Sequence, residues 1–320
     1  MPKPMAEDSE EKAAASQRQA YAGWAEKQAQ AVPLFYQPWW LDAASGGPTY
    51  WGAALTQDGL GAWPYTRQRC LGLTLALGKP PFTPLLGPWL APAAAGSQPG
   101  RILSQQHHCL EALADQLPWA PRRKATLPYG QTQALALQKL GWRIGSEFSY
   151  QLASNRSSVA ALWERLDGSV RTDLRKAPPA GTIVELNDPL PFVTLNAKVY
   201  AHRKIRETFP APVFQSLFLA AQQRAAARCW AYWEAKEPAP QAIVWLPFDA
   251  QRAYLLGAAS HPGARRKSKA MTHLIWTAIQ WCCEAQLTFD FEGSYLHGVE
   301  EYYRQWGPEL VHYLTVSRWW

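Results

Sequence analysis

The stretch Leu287-Thr288-Phe289-Asp290-Phe291-Glu292-Gly293-Ser294 constrains this chain more than any other part of it. Alternate side chains of a strand share a face, so Phe289 and Phe291 point one way while Asp290 and Glu292 point the other. Carboxylates are depleted in strands and are seldom buried without a partner. A strand that ends on two of them and breaks at a glycine is expected to have a use for them. Behind it, Gly298-Val299-Glu300-Glu301-Tyr302-Tyr303-Arg304-Gln305-Trp306-Gly307 reads as one short amphipathic helix stopped by glycine.

The 320 residues suffice for one large domain or two of ordinary size. Although 48% are hydrophobic, no apolar run is long enough to cross a bilayer. The first twenty residues carry Glu7, Asp8, Glu10, Glu11 and Lys12 without an apolar core, so a signal peptide is not expected and the chain is assigned to the cytoplasm. The five cysteines lack metal-like spacing and read as reduced structural thiols. His107-His108 and His261 lack it too, so no metal is expected. The net charge of +7 favours an anionic partner: a nucleotide, a nucleic acid or a phospholipid headgroup. Most of the 17 tryptophans are expected in the core, and the rest along a groove or against a membrane surface.

Along the chain, residues 1–20 read as a disordered or loosely helical tail. Segments 50–56 and 60–68 read as strands joined by the hairpin signal Asp58-Gly59. Proline crowding makes 79–92 an extended loop. A helix over 101–117, another over 131–140 and a strand over 142–152 close the first half. The second half is expected to hold helices at 190–208 and 211–228, then a meander of strands at 229–235, 242–247 and 253–259. The helix over 269–285 places Met271, Leu274, Ile275, Ala278, Ile279 and Cys282 on one face. A last strand covers 310–318. Both halves end in helix, glycine and strand, which points to a duplicated α/β unit divided as 21–155 and 156–320.

The block Phe289-Asp290-Phe291-Glu292-Gly293-Ser294, with Gly298-Val299-Glu300 and the run from Tyr303 to Gly307, resembles the C-terminal signature of the Fem-type aminoacyl and peptidyl transferases of peptidoglycan bridge formation, within the GNAT acyltransferase superfamily. Gln37-Pro38-Trp39-Trp40-Leu41, Pro84-Leu85-Leu86-Gly87-Pro88, residues 171–177 and Tyr200-Ala201-His202-Arg203-Lys204 support it in order and spacing. The resemblance implies an α/β fold (α+β, mixed sheet) of two tandem GNAT-like acyltransferase domains. It implies transfer of an acyl or aminoacyl group to an amine, forming an amide. Fem enzymes use aminoacyl-tRNA as donor and a lipid-linked peptidoglycan precursor as acceptor. This chain has no long charged heptad segment and so looks closer to short Fem-like proteins. No cofactor is expected to be tightly bound; the donor is an aminoacyl-tRNA or an acyl-CoA. The expected partners are a small-molecule or lipid-linked amine, tRNA and a peripheral membrane contact, and not DNA.

Each candidate residue has a structural reading beside the functional one. The basic segment between the 253–259 strand and the long helix holds the donor-phosphate candidates Arg265, Arg266, Lys267, Ser268 and Lys269, because amides at a helix start bind phosphate and adjacent cations reinforce them. Set against the GNAT pyrophosphate signature, Arg265, Ser268 and Ala270 fill the frame, with serine for the central glycine. The alternatives are an N-cap at Ser268 and a solvated basic loop. Asp290 and Glu292 are the catalytic candidates, since an attacking ammonium must first lose a proton. Otherwise Asp290 pairs with an arginine such as Arg304, and Glu292 caps the glycine turn. The acceptor-binding candidates are Lys198, His202 and Arg203, which crowd a helix end that also suits cations through its dipole, together with Tyr254 and Tyr303, whose hydroxyls would otherwise belong to the core. With neither a Gly-x-Ser-x-Gly elbow nor a Cys/His nucleophile pattern, transfer is expected to be direct. The competing functions are acetyl-CoA-dependent N-acetylation of an amino sugar or small amine, and a non-catalytic binding protein that keeps a basic groove.

Overall fold

The computed structural model describes residues 5–28, 31–70, 73–131, 133–176, 181–204, 206, 209–235, 237–262, 269–293 and 298–319. Their packing falls into two units. One holds the chain up to Glu147 together with His312 onward; the other is Phe148–Val311.

In the first unit, α1 (Met5–Lys27) begins inside the segment expected as a tail. Its last turns bury Tyr21, whose hydroxyl donates to Tyr36 O (2.6 Å), and Trp24, whose Nε1 donates to Gly59 O (2.8 Å). Next comes α2 (Pro38–Ser45), with proline in its first turn and a left-handed Gly46 at its end (φ 80°), as its local sequence requires. The Asp58-Gly59 turn joins β1 (Trp51–Leu55) to β2 (Gly61–Cys70) in antiparallel register, Leu55 opposite Ala62. Asp58 Oδ1 accepts from Thr56 Oγ1 (2.6 Å) and Leu60 N (3.0 Å), which closes the turn locally. After it come β3 (Leu73–Gly78), β4 (Trp89–Leu90), α3 (Pro99–Asp115), β5 (Arg122–Thr126), α4 (Leu135–Lys139) and β6 (Arg143–Leu152). Neither β3 nor β5 was expected: the first runs into prolines, and the second is the charged run Arg122-Arg123-Lys124.

In the second unit, Ser158 caps α5 (Val159–Arg165), accepting from Ala161 N (3.1 Å). There follow α6 (Gly168–Lys176), β7 (Gly181–Glu185), α7 (Leu190–Arg203), α8 (Ala211–Gln222), β8 (Ala227–Glu234), β9 (Ala242–Pro247), β10 (Arg252–Tyr254), β11 (Gly257–Ser260), α9 (Ala270–Glu284), β12 (Thr288–Asp290), α10 (Val299–Arg304) and β13 (Glu309–Trp319). Helix α7 stops earlier than its pattern suggested, at a left-handed Lys204 (φ 55°). Helix α8 yields to β8, which already contains Ala227 and Arg228. The stripe expected on α9 is the buried one, with Leu274, Ile275, Ala278, Ile279 and Cys282 no more than 1% exposed. Each large apolar side chain so buried contributes about 1.5–3 kcal/mol.

Each half of the chain runs helix, strand, short helix, strand at its end: α3-β5-α4-β6, then α9-β12-α10-β13. The last strand of each run completes the other unit. The end of β6 pairs antiparallel with β12, Asp290 opposite Gln151. Residues 315–319 of β13 pair antiparallel with β5, Val316 opposite Ala125. The chain therefore changes unit within β6, between residues 147 and 148, and returns within β13. A division at 155/156 follows the order of the repeats; the strand ladders place it elsewhere. Among the described residues no helix is long and apolar enough to cross a membrane.

Val316 is fully buried with Leu77, Ala125 and Trp142 in the first unit's core. Val316→Ala should therefore cost about 2 kcal/mol, whereas Leu73→Ser, at a 68% exposed position, should stay within about 0.5 kcal/mol. Urea unfolding of both variants checks this; a neutral Val316→Ala would mean that the last strand is not part of that core.

Candidate active site

The third strand of the expected meander does not run straight. Its first part, β10, lies parallel to β12, with Tyr254 opposite Asp290. Leu255 N makes one more bond to Asp290 O (2.8 Å), and Leu256 N then donates back to Tyr254 O (2.9 Å). That three-residue turn re-aims the backbone. Its second part, β11, joins β9 instead, with Gly257 opposite Trp245. Because His261 N donates to Gln241 O on the β9 side (2.8 Å), the amides of Ala258 and Ser260 face the opposite edge by alternation. No strand among the described residues pairs with that edge, and both residues are exposed. A wedge thus opens where β11 leaves β12, and α9 starts from the connection that follows β11.

Asp290 sits at the apex of this wedge and is not at the surface. It is 0% exposed, between Phe289 (0%) and Phe291 (1%). The strand is buried on both faces, against the half-exposed strand that alternation suggested. Four groups surround the carboxylate. Ser149 Oγ donates to Oδ1 (2.5 Å), Gln151 Nε2 to Oδ2 (2.8 Å) and Glu292 N to Oδ1 (2.9 Å), while Arg252 Nε lies 3.8 Å from Oδ2. A buried carboxylate persists only when paired and hydrogen-bonded in this way. The arginine is Arg252; Arg304 pairs with Glu300 (2.9 Å). Asp290 is out of contact with solvent, and through Glu292 N it holds the turn after β12.

That turn holds Glu292 in the left-handed region (φ 55°), a conformation costing about 1–2 kcal/mol for a residue with a side chain. Asp290 fixes it by accepting from Glu292 N, the reverse of the capping role expected for Glu292. Gly293 follows because nothing larger fits: a Cβ there would lie 2.1 Å from Phe148 O. Glu292 is half-buried and close enough to Tyr303 for its charge to act on the phenol. Burial first, and Glu292 second, push the Tyr303 hydroxyl up to about 12. Tyr303 packs on Phe291 with centroids 4.9 Å apart. Its neighbour Tyr302, which sequence reasoning did not single out, bonds Thr272 in the first turn of α9 (3.1 Å) and is raised by burial.

The other candidates separate. Tyr254 is 0% exposed and donates to Asp249 Oδ2 (3.2 Å); burial raises its hydroxyl well above the ordinary value, so it is a core group and no acceptor contact. Lys198 is exposed at the rim of a cavity of about 260 Å³ lined by Leu190, Leu195, Trp233 and Pro238. His202 and Arg203 are exposed in the last turn of α7, where the helix dipole accounts for them. Lys269 stands just before α9 and pairs with Asp173 (3.0 Å). Arg265, Arg266, Lys267 and Ser268 lie outside the described residues.

The sequence profile of the acetyltransferase (GNAT) domain family matches residues 148–315, more than half of the chain. The chain belongs to the GNAT family. It is an acyltransferase, and the matched region contains the wedge, α9 and the whole Asp290 cluster. No curated protein sequence matches it closely enough to count as a relative. Among solved structures, FemX shares the GNAT-based fold with a TM-score of 0.64 at 14% identity, over 93% of this chain and 95% of FemX. L-PGS from Bacillus licheniformis has a TM-score of 0.58 at 9% identity, over 94% and 91% of the two chains. The C-terminal domain of a putative lysylphosphatidylglycerol synthetase from Agrobacterium fabrum also has 0.58, at 12% identity, over 93% and 92%. At such identities these likenesses speak for the fold, and they agree with the mixed α/β class of tandem GNAT-like units expected from the sequence.

Two outcomes follow for the site. Asp290→Asn places an amide among donors and removes one of the charges that support Arg252, so it should cost about 3 kcal/mol, read by urea or thermal unfolding. The buried Tyr21 and Tyr254 and the partly buried Tyr302 and Tyr303 all have raised hydroxyls. A group that holds its proton longer when folded leaves stability intact below its unfolded value of 10.0 and loses it as pH rises. The melting temperature should fall from pH 10 to 12, with Tyr303→Phe removing part of the fall; a flat profile over that range would contradict the burial.

Proposed function

We propose that this GNAT protein moves an aminoacyl or acyl group from an activated donor onto an amine, forming an amide. The observation that carries the reading is the departure of β11 from β12, which leaves the outward amides of Ala258 and Ser260 beside a glycine turn bearing Glu292. Extended backbone with a free edge can pair with a linear donor arm, as an added strand does. The start of α9 supplies further amides and the positive end of its dipole for the donor phosphates, with Lys269 and the expected cations Arg265, Arg266 and Lys267 behind them.

Glu292 takes the proton of the attacking ammonium. The amine nitrogen bonds to the donor carbonyl carbon, main-chain amides stabilise the oxygen of the tetrahedral intermediate, and the carbon–oxygen or carbon–sulfur bond to the donor breaks. Tyr303 keeps its proton throughout the neutral range, gives it to the leaving group, and regains one from the attacking nitrogen, which sheds its second proton as the amide forms. The donor is an aminoacyl-tRNA or an acyl-CoA, with no cofactor tightly held. The likeness to a putative lysylphosphatidylglycerol synthetase supports a lipid-linked acceptor reached by peripheral contact with a membrane, while the amine as attacking group rests on the Fem-type resemblance of the 289–307 block. Lys198 and Arg203, with the His202 imidazole beside them, remain the groups offered to an anionic acceptor.

Thermal-shift titration with acetyl-CoA and with aminoacyl-tRNA separates the donors, because a ligand that prefers the native state stabilises it by about 2.7 kcal/mol at a hundred times Kd. With the donor that stabilises the protein, Glu292→Gln should lower kcat about 100-fold or more with little change in stability. Unchanged turnover in Glu292→Gln would remove the proposed base, and stabilisation by neither compound would remove both proposed donors.

A further inference from the structure

The first unit carries a cavity that the transfer chemistry does not use. It lies on one face of the sheet formed by β2, β3, β5 and the end of β13. Strand alternation puts Arg122, Lys124 and Thr126 of β5 on that face. Register adds Ala76 and Gly78 of β3, Gln68 of β2 and Trp319 of β13. Between the long side chains stand only the methyl of Ala76 and the bare backbone of Gly78. A Cβ added to Gly78 would meet nothing within 4 Å. The result is a hollow of about 250 Å³ that Lys79 also lines.

Its polar groups want an acceptor. Thr126 is 0% exposed and its Oγ1 has no hydrogen-bond partner. Among the described residues neither Arg122 nor Arg123 forms an ion pair; Lys124 pairs with Glu147 (3.3 Å). On the reverse face, register sets Arg67, Leu77, Arg123 and Arg318 in one row across four strands. A buried hydroxyl without a partner is costly to maintain. The group that answers guanidinium, ammonium and hydroxyl together is a tetrahedral oxyanion, whose several oxygens accept from all of them. Trp319 is 59% exposed and carries the Arg122 guanidinium 4.7 Å from its ring centroid. Such a stacked pair extends readily over a planar group.

We propose that this hollow is a second ligand site, which holds the phosphate of a small phosphorylated ligand between Arg122, Lys124 and Thr126, with a planar substituent against Trp319. It is independent of the donor site: it lies wholly on strands of the first unit, and it would stand whether or not the transferase reading does.

Calorimetric titration of the full-length protein with inorganic phosphate, pyrophosphate and AMP, in about 50 mM salt where the Debye length is still long, tests it. Saturable binding that weakens with added salt is expected. AMP binding more tightly than phosphate assigns the site to a nucleotide-like ligand; equal affinity assigns it to a free phosphate group. Arg122→Gln with Lys124→Gln should weaken binding roughly tenfold or more through the lost charge-assisted bonds, and Thr126→Val more mildly. Gly78→Leu grows into open space, so it should abolish binding at this site without lowering the melting temperature. Phosphate binding at the start of α9 would survive Gly78→Leu. Absence of saturable binding by any of the three probes would overturn the proposal, as would equal affinity in wild type, the double variant and Gly78→Leu.

Discussion

One buried carboxylate governs the geometry of the second unit. Asp290 has no contact with solvent, and a charge in that position survives only because donors from three parts of the chain converge on it: Ser149 and Gln151 from β6, Arg252 from β10, and the backbone of Glu292 beyond β12. The cluster fixes where the parallel pairing of β10 and β12 stops. It also holds the next turn in a backbone conformation that Glu292 would not adopt unaided. The wedge is therefore set by an electrostatic requirement at its apex, which also organises the turn that carries Glu292.

This separates two roles that lie two residues apart. Asp290 acts through position, while Glu292, half-buried beside a phenol raised by burial, is the group proposed to meet an incoming amine. Such a division is common where a site must be both rigid and reachable, since rigidity is drawn from satisfied buried polar groups and reactivity from a partly exposed one.

Much of this was legible in the sequence, and what was not has identifiable causes. The Asp58-Gly59 hairpin, the apolar stripe of α9 and the strand–glycine–helix block at 287–307 rest on local chemistry, and local chemistry decided them. The burial of Asp290 does not show, because its partners Ser149 and Gln151 stand 141 and 139 residues away and no periodicity links them. The splitting of the strand after Tyr254 turns on one backbone bond, Leu256 N to Tyr254 O, within a run that reads apolar throughout. Strand β5 was missed for a different reason. Its Arg122-Arg123-Lys124 run looks like a solvated charge run, and only pairing with β3 and β13 makes it a strand. Tyr254 takes the structural of its two readings: its hydroxyl is received inside, by Asp249.

The exchange of final strands between the units bears on how the chain is made. Strand β5 gains its β13 neighbour, and the core of the first unit gains Val316, only when residues 312–319 have been synthesised. At about 5–20 residues per second, translation of the intervening 148–311 segment keeps that edge waiting on the order of ten to thirty seconds. The second unit has all its strands in hand before then. Synthesis therefore reverses the order in which the units can finish: the half begun first closes last, and until then its charged β5 edge, dense in arginine and lysine, resists the edge-to-edge association that an apolar strand would invite.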